Sequence, residues 1–198
     1  MADVMTVSDF LLRLGVDPDH PERSDLISPL RLQKLLYYAQ GLSLALLGRP
    51  LFPDRILAGR NGPVVESVYR HYESWGARGI EPDDPSSTNP LSATEQQLIR
   101  TAWNEYGRYS SLHLDEMARR EPAWRDARGE LPSDAECNVP LSLDTMARFF
   151  ADKVRALAAK HRWPDPRADW EAEEQLNRGQ GRSLPDLIAA RRSAISES

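Results

Sequence analysis

The sequence predicts a mainly α protein: a compact single helical domain with at most a short strand pair and a C-terminal helical extension. Apolar residues recur three and four positions apart in one segment after another, and Ser, Gly and Pro residues bracket those segments as caps and stops. Residues suited to a strand are confined to the neighbourhood of Ile56 and Leu57, with no alternation long enough to make a sheet. The chain has 198 residues, 40% apolar and 28% charged, which fits one domain with an appendage better than two thin domains.

Thr6 as cap with Asp9 behind it predicts a first helix carrying Val7, Phe10, Leu11 and Leu14 up to Gly15. Ser28 and Pro29 make the N-cap and N1 pair of a second, central helix. Its stripe of Leu32, Leu35, Leu36, Ala39, Leu42 and Leu46 is widened by Tyr37, Tyr38 and Leu44, until Gly48 and Pro50 stop it. Asn61, Gly62 and Pro63 read as a turn with Pro63 in the first position of a third helix, followed by Val64, Val65, Val68, Tyr69 and Tyr72. Residues 77–90, rich in Pro, Asp and Ser, read as a solvated loop with little core.

A capping box from Ser92 to Glu95 opens a fourth helix with Leu98, Ile99, Ala102, Trp103 and Tyr106 on its inner face. Ser110 or Ser111 caps the next, which carries Leu112, Leu114, Met117 and Ala118. Glu121 and Pro122 then start a short turn that buries Trp124. Ser142 opens a longer helix with Met146, Phe149, Phe150, Val154 and Leu157, ended by the prolines after Trp163. The domain is therefore expected over 1–163. Residues 164–198 form a charged helical extension, either partner-binding or solvated, with acidic residues first and arginines later.

Composition excludes several functions. With 25 Lys and Arg against 30 Asp and Glu, the net charge is -5, so there is no overall electrostatic footprint for phosphate backbones and nucleic acid is not the default partner. No apolar run approaches the roughly 20 residues needed to cross a bilayer, and no secretory leader is evident, so a cytoplasmic protein without membrane partners is expected. Cys137 is the single cysteine, which excludes an intrachain disulfide and a multi-cysteine zinc cage.

His20, His71, His113 and His161 are dispersed without metal-ligand spacing, and no phosphate-loop motif accompanies Gly59 to Gly62. No catalytic residue, cofactor or metal is predicted. His113, Asp115 and Glu116 read as residues of a surface helix, Cys137 as a small packing residue, and Tyr37, Tyr38, Tyr69, Tyr72, Trp103 and Trp124 as core.

The segment from Ile27 to Phe52, with Pro29, Leu32, Gln33, Lys34, Leu35, Tyr37, Tyr38, Gln40 and Gly41, resembles the opening signature of the Panacea domain, the SocA-like or GepA-like phage-associated family. Gly62, Pro63 and Val64 leading to Tyr69, and then Pro122 and Trp124, match its later landmarks, so the likeness covers roughly residues 6 to 152. Gly59 and Asn61 stand where the family usually carries aromatic residues.

The resemblance implies an antitoxin that neutralises a cognate protein toxin encoded nearby by direct binding, in some members as a proteolytic adaptor. A protease or chaperone is then a further partner. Trp170, Leu176, Leu184, Leu187 and Ile188 are candidate anchors against the toxin, with Arg191 and Arg192 available to its carboxylates. The competing readings are a small enzyme using His113, Glu116 or Cys137, and a transcriptional autoregulator, which lacks a basic recognition helix.

Overall fold

The computed structural model describes residues 1–82, 91–132 and 134–161, with side chains as far as 156. Seven α-helices are described: α1 (Val4–Leu14), α2 (Pro29–Leu47), α3 (Glu66–Tyr72), α4 (Ala93–Tyr106), α5 (Ser111–Arg120), α6 (Pro122–Arg128) and α7 (Leu143–His161). Between α2 and α3 lie two short strands, β1 (Ile56–Leu57) and β2 (Val64–Val65). They pair antiparallel, Ile56 opposite Val65 and Leu57 opposite Val64. Residues 139–141 flank β1 on its other side, where the Ala58 N–H donates to the Val139 carbonyl at 2.9 Å and the Leu141 N–H to the Ile56 carbonyl at 2.8 Å.

The central helix is α2, and 16 of its 19 residues are buried. A helix wrapped on all sides must be the axis of the fold, and α2 packs against α1, α3, α4, α5, α7 and β2. It starts where Ser28 Oγ accepts the Arg31 N–H with Pro29 at N1, and it stops at Gly48, which takes the left-handed conformation at φ 66°. The predicted capping box is formed at α4: Ser92 Oγ accepts the Glu95 N–H at 3.2 Å, and the Glu95 carboxylate accepts the Ser92 N–H at 3.0 Å.

The core is aromatic at its centre. Tyr38 stacks on Tyr106 with centroids 3.8 Å apart, while Phe150 meets the edges of Tyr37 and Tyr38. Burying each such ring is worth roughly 1.5–3 kcal/mol. Phe150 lies directly on the backbone of Gly41, and any Cβ there would overlap its ring, so α7 approaches α2 only because that position is bare.

Several expectations are corrected. α1 starts earlier than Thr6, because Asp3 is the cap and its carboxylate accepts the Thr6 N–H at 3.0 Å. Pro63 opens no helix: Val64 and Val65 extend to pair with β1, and helix begins only at Glu66. Their β-branched side chains suit a strand as well as a helix start, and pairing with Ile56 and Leu57 decides it. Tyr69 is 45% exposed rather than core, and Leu112 is 75% exposed. Ile80, within the loop expected to carry little core, is buried and its N–H donates to the Ile27 carbonyl at 2.9 Å. The predicted end of α7 at the prolines beyond Trp163 lies outside the described residues.

Candidate functional site

The turn between β1 and β2, residues 58–63, is held from below by side chains of two helices. From α2, Lys34 Nζ donates to the Asn61 carbonyl and, at 3.2 Å, to the Pro63 carbonyl. One position earlier, Gln33 Oε1 accepts the Val65 N–H at 2.7 Å. From α6, the Trp124 indole N–H donates to the Gly59 carbonyl at 3.0 Å, and Arg128 donates to the Ala58 carbonyl at 3.1 Å. Gly62 sits at φ 78°, and a Cβ there would collide with the Asp115 carboxylate and come within 3.0 Å of Lys34 Nζ. Glycine is thus required both for its conformation and for its lack of volume.

Lys34 is 1% exposed, and its charge is balanced by Asp115 of α5 at 3.3 Å. Arg119 also approaches Asp115, at 3.6 Å. Burial pulls the Lys34 pKa down to about 8, against the raising effect of Asp115. Asp115, expected on a surface helix, is therefore a buried counter-ion, whereas Glu116 beside it is exposed and pairs with Arg120. Only pairing explains an aspartate in that position.

A second buried carboxylate, Glu121, lies at the α5–α6 junction. It accepts hydrogen bonds from the Tyr37 hydroxyl at 2.6 Å, the Tyr38 hydroxyl at 3.3 Å and Lys153 Nζ at 2.7 Å. Lys153 Nζ lies 5.1 to 5.6 Å from the ring centroids of Tyr38, Tyr106, Phe149 and Phe150, a cation–π arrangement on four sides. Burial raises the Glu121 pKa, opposed by Lys153 and the two tyrosines. Burial also raises the pKa of the Tyr37, Tyr38 and Tyr106 hydroxyls, and Glu121 adds to it, so all three stay protonated and Tyr37 and Tyr38 remain donors.

The stapled turn borders an open cleft of about 330 Å³, walled by Leu30, Leu57, Val64 and Tyr69, with Gln33, Lys34, Gly62 and the buried Cys137 also on its lining. Arg60, Asn61, Glu66, Glu136 and Asn138 stand exposed around it. A second cleft of about 420 Å³ lies over Leu112, Asp115, Glu116, Arg119, Arg120 and Trp124.

The family-signature residues thus gather largely on one structural task. Gln33, Lys34, Gly62, Pro63, Val64 and Trp124 build or hold the turn, Tyr37 and Tyr38 hold Glu121, and Gln40 pins the chain after α2 by donating to the Phe52 carbonyl at 3.1 Å and accepting the Leu51 N–H at 2.8 Å. Pro29 starts α2, Leu32 and Leu35 are core, Gly41 admits Phe150, Tyr69 lines the cleft, and Pro122 starts α6.

Asp115, Glu121, Arg128 and Lys153 were missed in the sequence because each is recruited across long separations in the chain. The enzyme candidates do not converge: Cys137 lines the first cleft, Glu116 the second, and His113 stacks on Tyr109. Among the described residues, no group of three His, Cys, Asp or Glu could hold a metal, and no helix is long and apolar enough to cross a membrane. Trp170, Leu176, Leu184, Leu187, Ile188, Arg191 and Arg192 lie outside the described residues.

Comparison with known proteins falls on this same region. The family described as Antitoxin SocA-like, Panacea domain matches residues 32–125, from α2 through the turn to Trp124. Antitoxin SocA of Caulobacter vibrioides (strain NA1000 / CB15N) is 40% identical over 78 residues, which is 39% of this chain and 39% of that protein. The chain therefore covers well under half of that relative. No solved structure matches it. Residues 32–125, with the stapled turn and its supporting helices inside the match, are thus similar to the SocA-like Panacea domain.

Proposed function

We propose that the protein is an antitoxin that neutralises a cognate toxin encoded nearby by covering it with a preformed helical surface, and that it transforms no substrate itself. The observation that carries this reading is the direction of its buried polar groups. Lys34, Asp115, Glu121 and Lys153, and the carbonyl oxygen of Gln33, engage the protein's own backbone and side chains, where they fix surface elements in place. Rigid surfaces bind tightly because little ordering entropy remains to be lost on association.

Residues 1–163 are proposed as the body and 164–198 as an arm that orders on the toxin, with Trp170, Leu176, Leu184, Leu187 and Ile188 as its anchors and Arg191 and Arg192 pairing with toxin carboxylates. Delivery of the bound toxin to a protease or chaperone is a further step of the same proposal, and the setting is the cytoplasm.

Co-expression tests it. Growth arrested by the neighbouring gene product is expected to recover when this chain is supplied, and the two proteins are expected to co-purify. A neighbour that is harmless alone, or turnover of a substrate by the purified chain without a companion, overturns the reading. A chain stopped at Pro166 is expected to bind the toxin more weakly; unchanged binding returns the whole interface to the body.

A further inference from the structure

Gln33 is only half used by the fold. It is 2% exposed, and its Oε1 accepts the Val65 N–H, but its Nε2 has no acceptor among the described residues. Turning the carboxamide over is no remedy, because the Val65 N–H requires the oxygen. Three other buried side-chain atoms lack a hydrogen bond among the described residues, and each belongs to a group served elsewhere. Arg31 and Arg128 donate through their other nitrogens, and Asp115 Oδ1 lies 3.3 Å from Lys34 Nζ. Nearly all buried donors in folded proteins find an acceptor, so a wholly unused amino group calls for a partner.

Gln33 lies on the lining of the cleft of about 330 Å³ beside the 58–63 turn, together with the apolar walls. Leu30 is 37% exposed and Tyr69 is 45% exposed, so those walls are open to solvent. The volume is at the small end of ligand-binding clefts and suits one bulky side chain with its flanking backbone. Charge around the cleft selects neither sign. Lys34 is balanced by Asp115 and Glu66 by Arg70, which leaves Arg60 and Glu136, one of each sign, without an ion pair among the described residues. A charged occupant drawn to one is repelled by the other, whereas a neutral occupant meets no such conflict. The neutral acceptor that every polypeptide carries is its main-chain carbonyl.

We infer that this cleft docks an uncharged segment of a partner protein, a bulky apolar side chain resting against Leu30 and Tyr69 while a main-chain carbonyl beside it accepts a hydrogen bond from Gln33 Nε2. That the partner is the toxin rests on the antitoxin reading; the chemistry of the cleft does not.

Three probes with one ring separate acceptor chemistry from charge. N-acetyl-tryptophanamide is neutral, N-acetyl-tryptophan anionic and tryptophanamide cationic, and each is titrated into the full-length ¹⁵N-labelled protein. The neutral probe is expected to shift the amides of Gly62 and Tyr69 and the Gln33 side-chain NH₂ signal saturably. It is expected to bind about three-fold tighter than either charged probe, the scale of one exposed charge contact. Gln33→Glu keeps an acceptor for the Val65 N–H, removes the donor, and is expected to weaken the neutral probe about ten-fold. Tyr69→Ala, at a half-exposed position the fold does not depend on, is expected to weaken it about five-fold and decides the matter if Gln33→Glu fails to fold. No saturable shift at these residues, equal or tighter binding of a charged probe, or undiminished binding by either folded variant overturns the proposal.

With the neighbouring toxin, Tyr69→Ala is expected to lower affinity at least about ten-fold, while Arg148→Glu on α7 leaves it unchanged. Full toxin affinity in Tyr69→Ala also overturns the proposal. Failure of the wild-type chain to bind any neighbouring product would sink the antitoxin reading alone, since the titration still decides the cleft.

Discussion

Among the described residues, the ion pairs of Lys34 and Lys153 are built differently. Lys34 is sealed from solvent, and its hydrogen bonds go to backbone carbonyls of a surface turn. Lys153 keeps about a quarter of its side chain in solvent, donates to Glu121, and rests among four aromatic rings. The first lysine converts the charge of a distant helix into the shape of a turn. The second joins α7 to the α5–α6 junction through groups that would pack well even without the charge. A buried charge with no substitute for its partners is hard to replace, whereas one embedded in apolar surface is not.

That contrast can be broken by substitution. Lys34→Met removes the donor to two carbonyls and leaves Asp115 with Arg119 alone, and is expected to cost about 3 kcal/mol in urea unfolding. Proteolysis is expected to appear first at the 58–63 turn. Gly62→Ala, which forces a Cβ against Asp115 at positive φ, is expected to cost about 2 kcal/mol and to loosen the same turn. Lys153→Met should cost less, about 1–2 kcal/mol, because the thioether keeps the ring contacts and Glu121, left with two tyrosine donors and no cation, can take up a proton. If Lys153→Met proves as damaging as Lys34→Met, the distinction drawn here is wrong.

The pH dependence sharpens the comparison with smaller effects of opposite sign. Burial lowers the Lys34 pKa to about 8 in the folded chain, so between there and the ordinary lysine value near 10.5 the unfolded chain binds more protons and stability rises with pH. Burial raises the Glu121 pKa, so above the ordinary glutamate value the folded chain holds the extra proton, and stability falls as pH rises through the Glu121 folded value. Unfolding curves of wild type against Lys34→Met on the alkaline side, and against Glu121→Gln on the acid side, should each show the slope vanish in the variant.

Much of the fold was legible because its signals are local. Ser28, Pro29 and Gly48 bound α2, Ser92 and Glu95 start α4, and Ser110 starts α5, all by contacts within a few residues. What escaped depends on pairing at a distance. Val64 and Val65 read as helix until Ile56 and Leu57 claim them as a strand. Asp115 read as a surface residue because its counter-ion lies on α2. The site was partly visible as a family signature, yet the signature does not say that Lys34 and Gln33 face inward while Arg60 faces out. Tyr69 shows the limit of spacing alone: it keeps helical register with Val68 and Tyr72, but its side of α3 is the wet one.

The bare backbone of Gly41 has a consequence during synthesis. The groove it leaves on the central rod is filled by Phe150, which leaves the ribosome only after every preceding helix. A growing polypeptide therefore carries an oily, half-clad flank for most of its translation, and only the last described helix zips it shut. Truncated products ending before residue 150 should be handed to holdases or degraded rather than accumulate as native-like fragments.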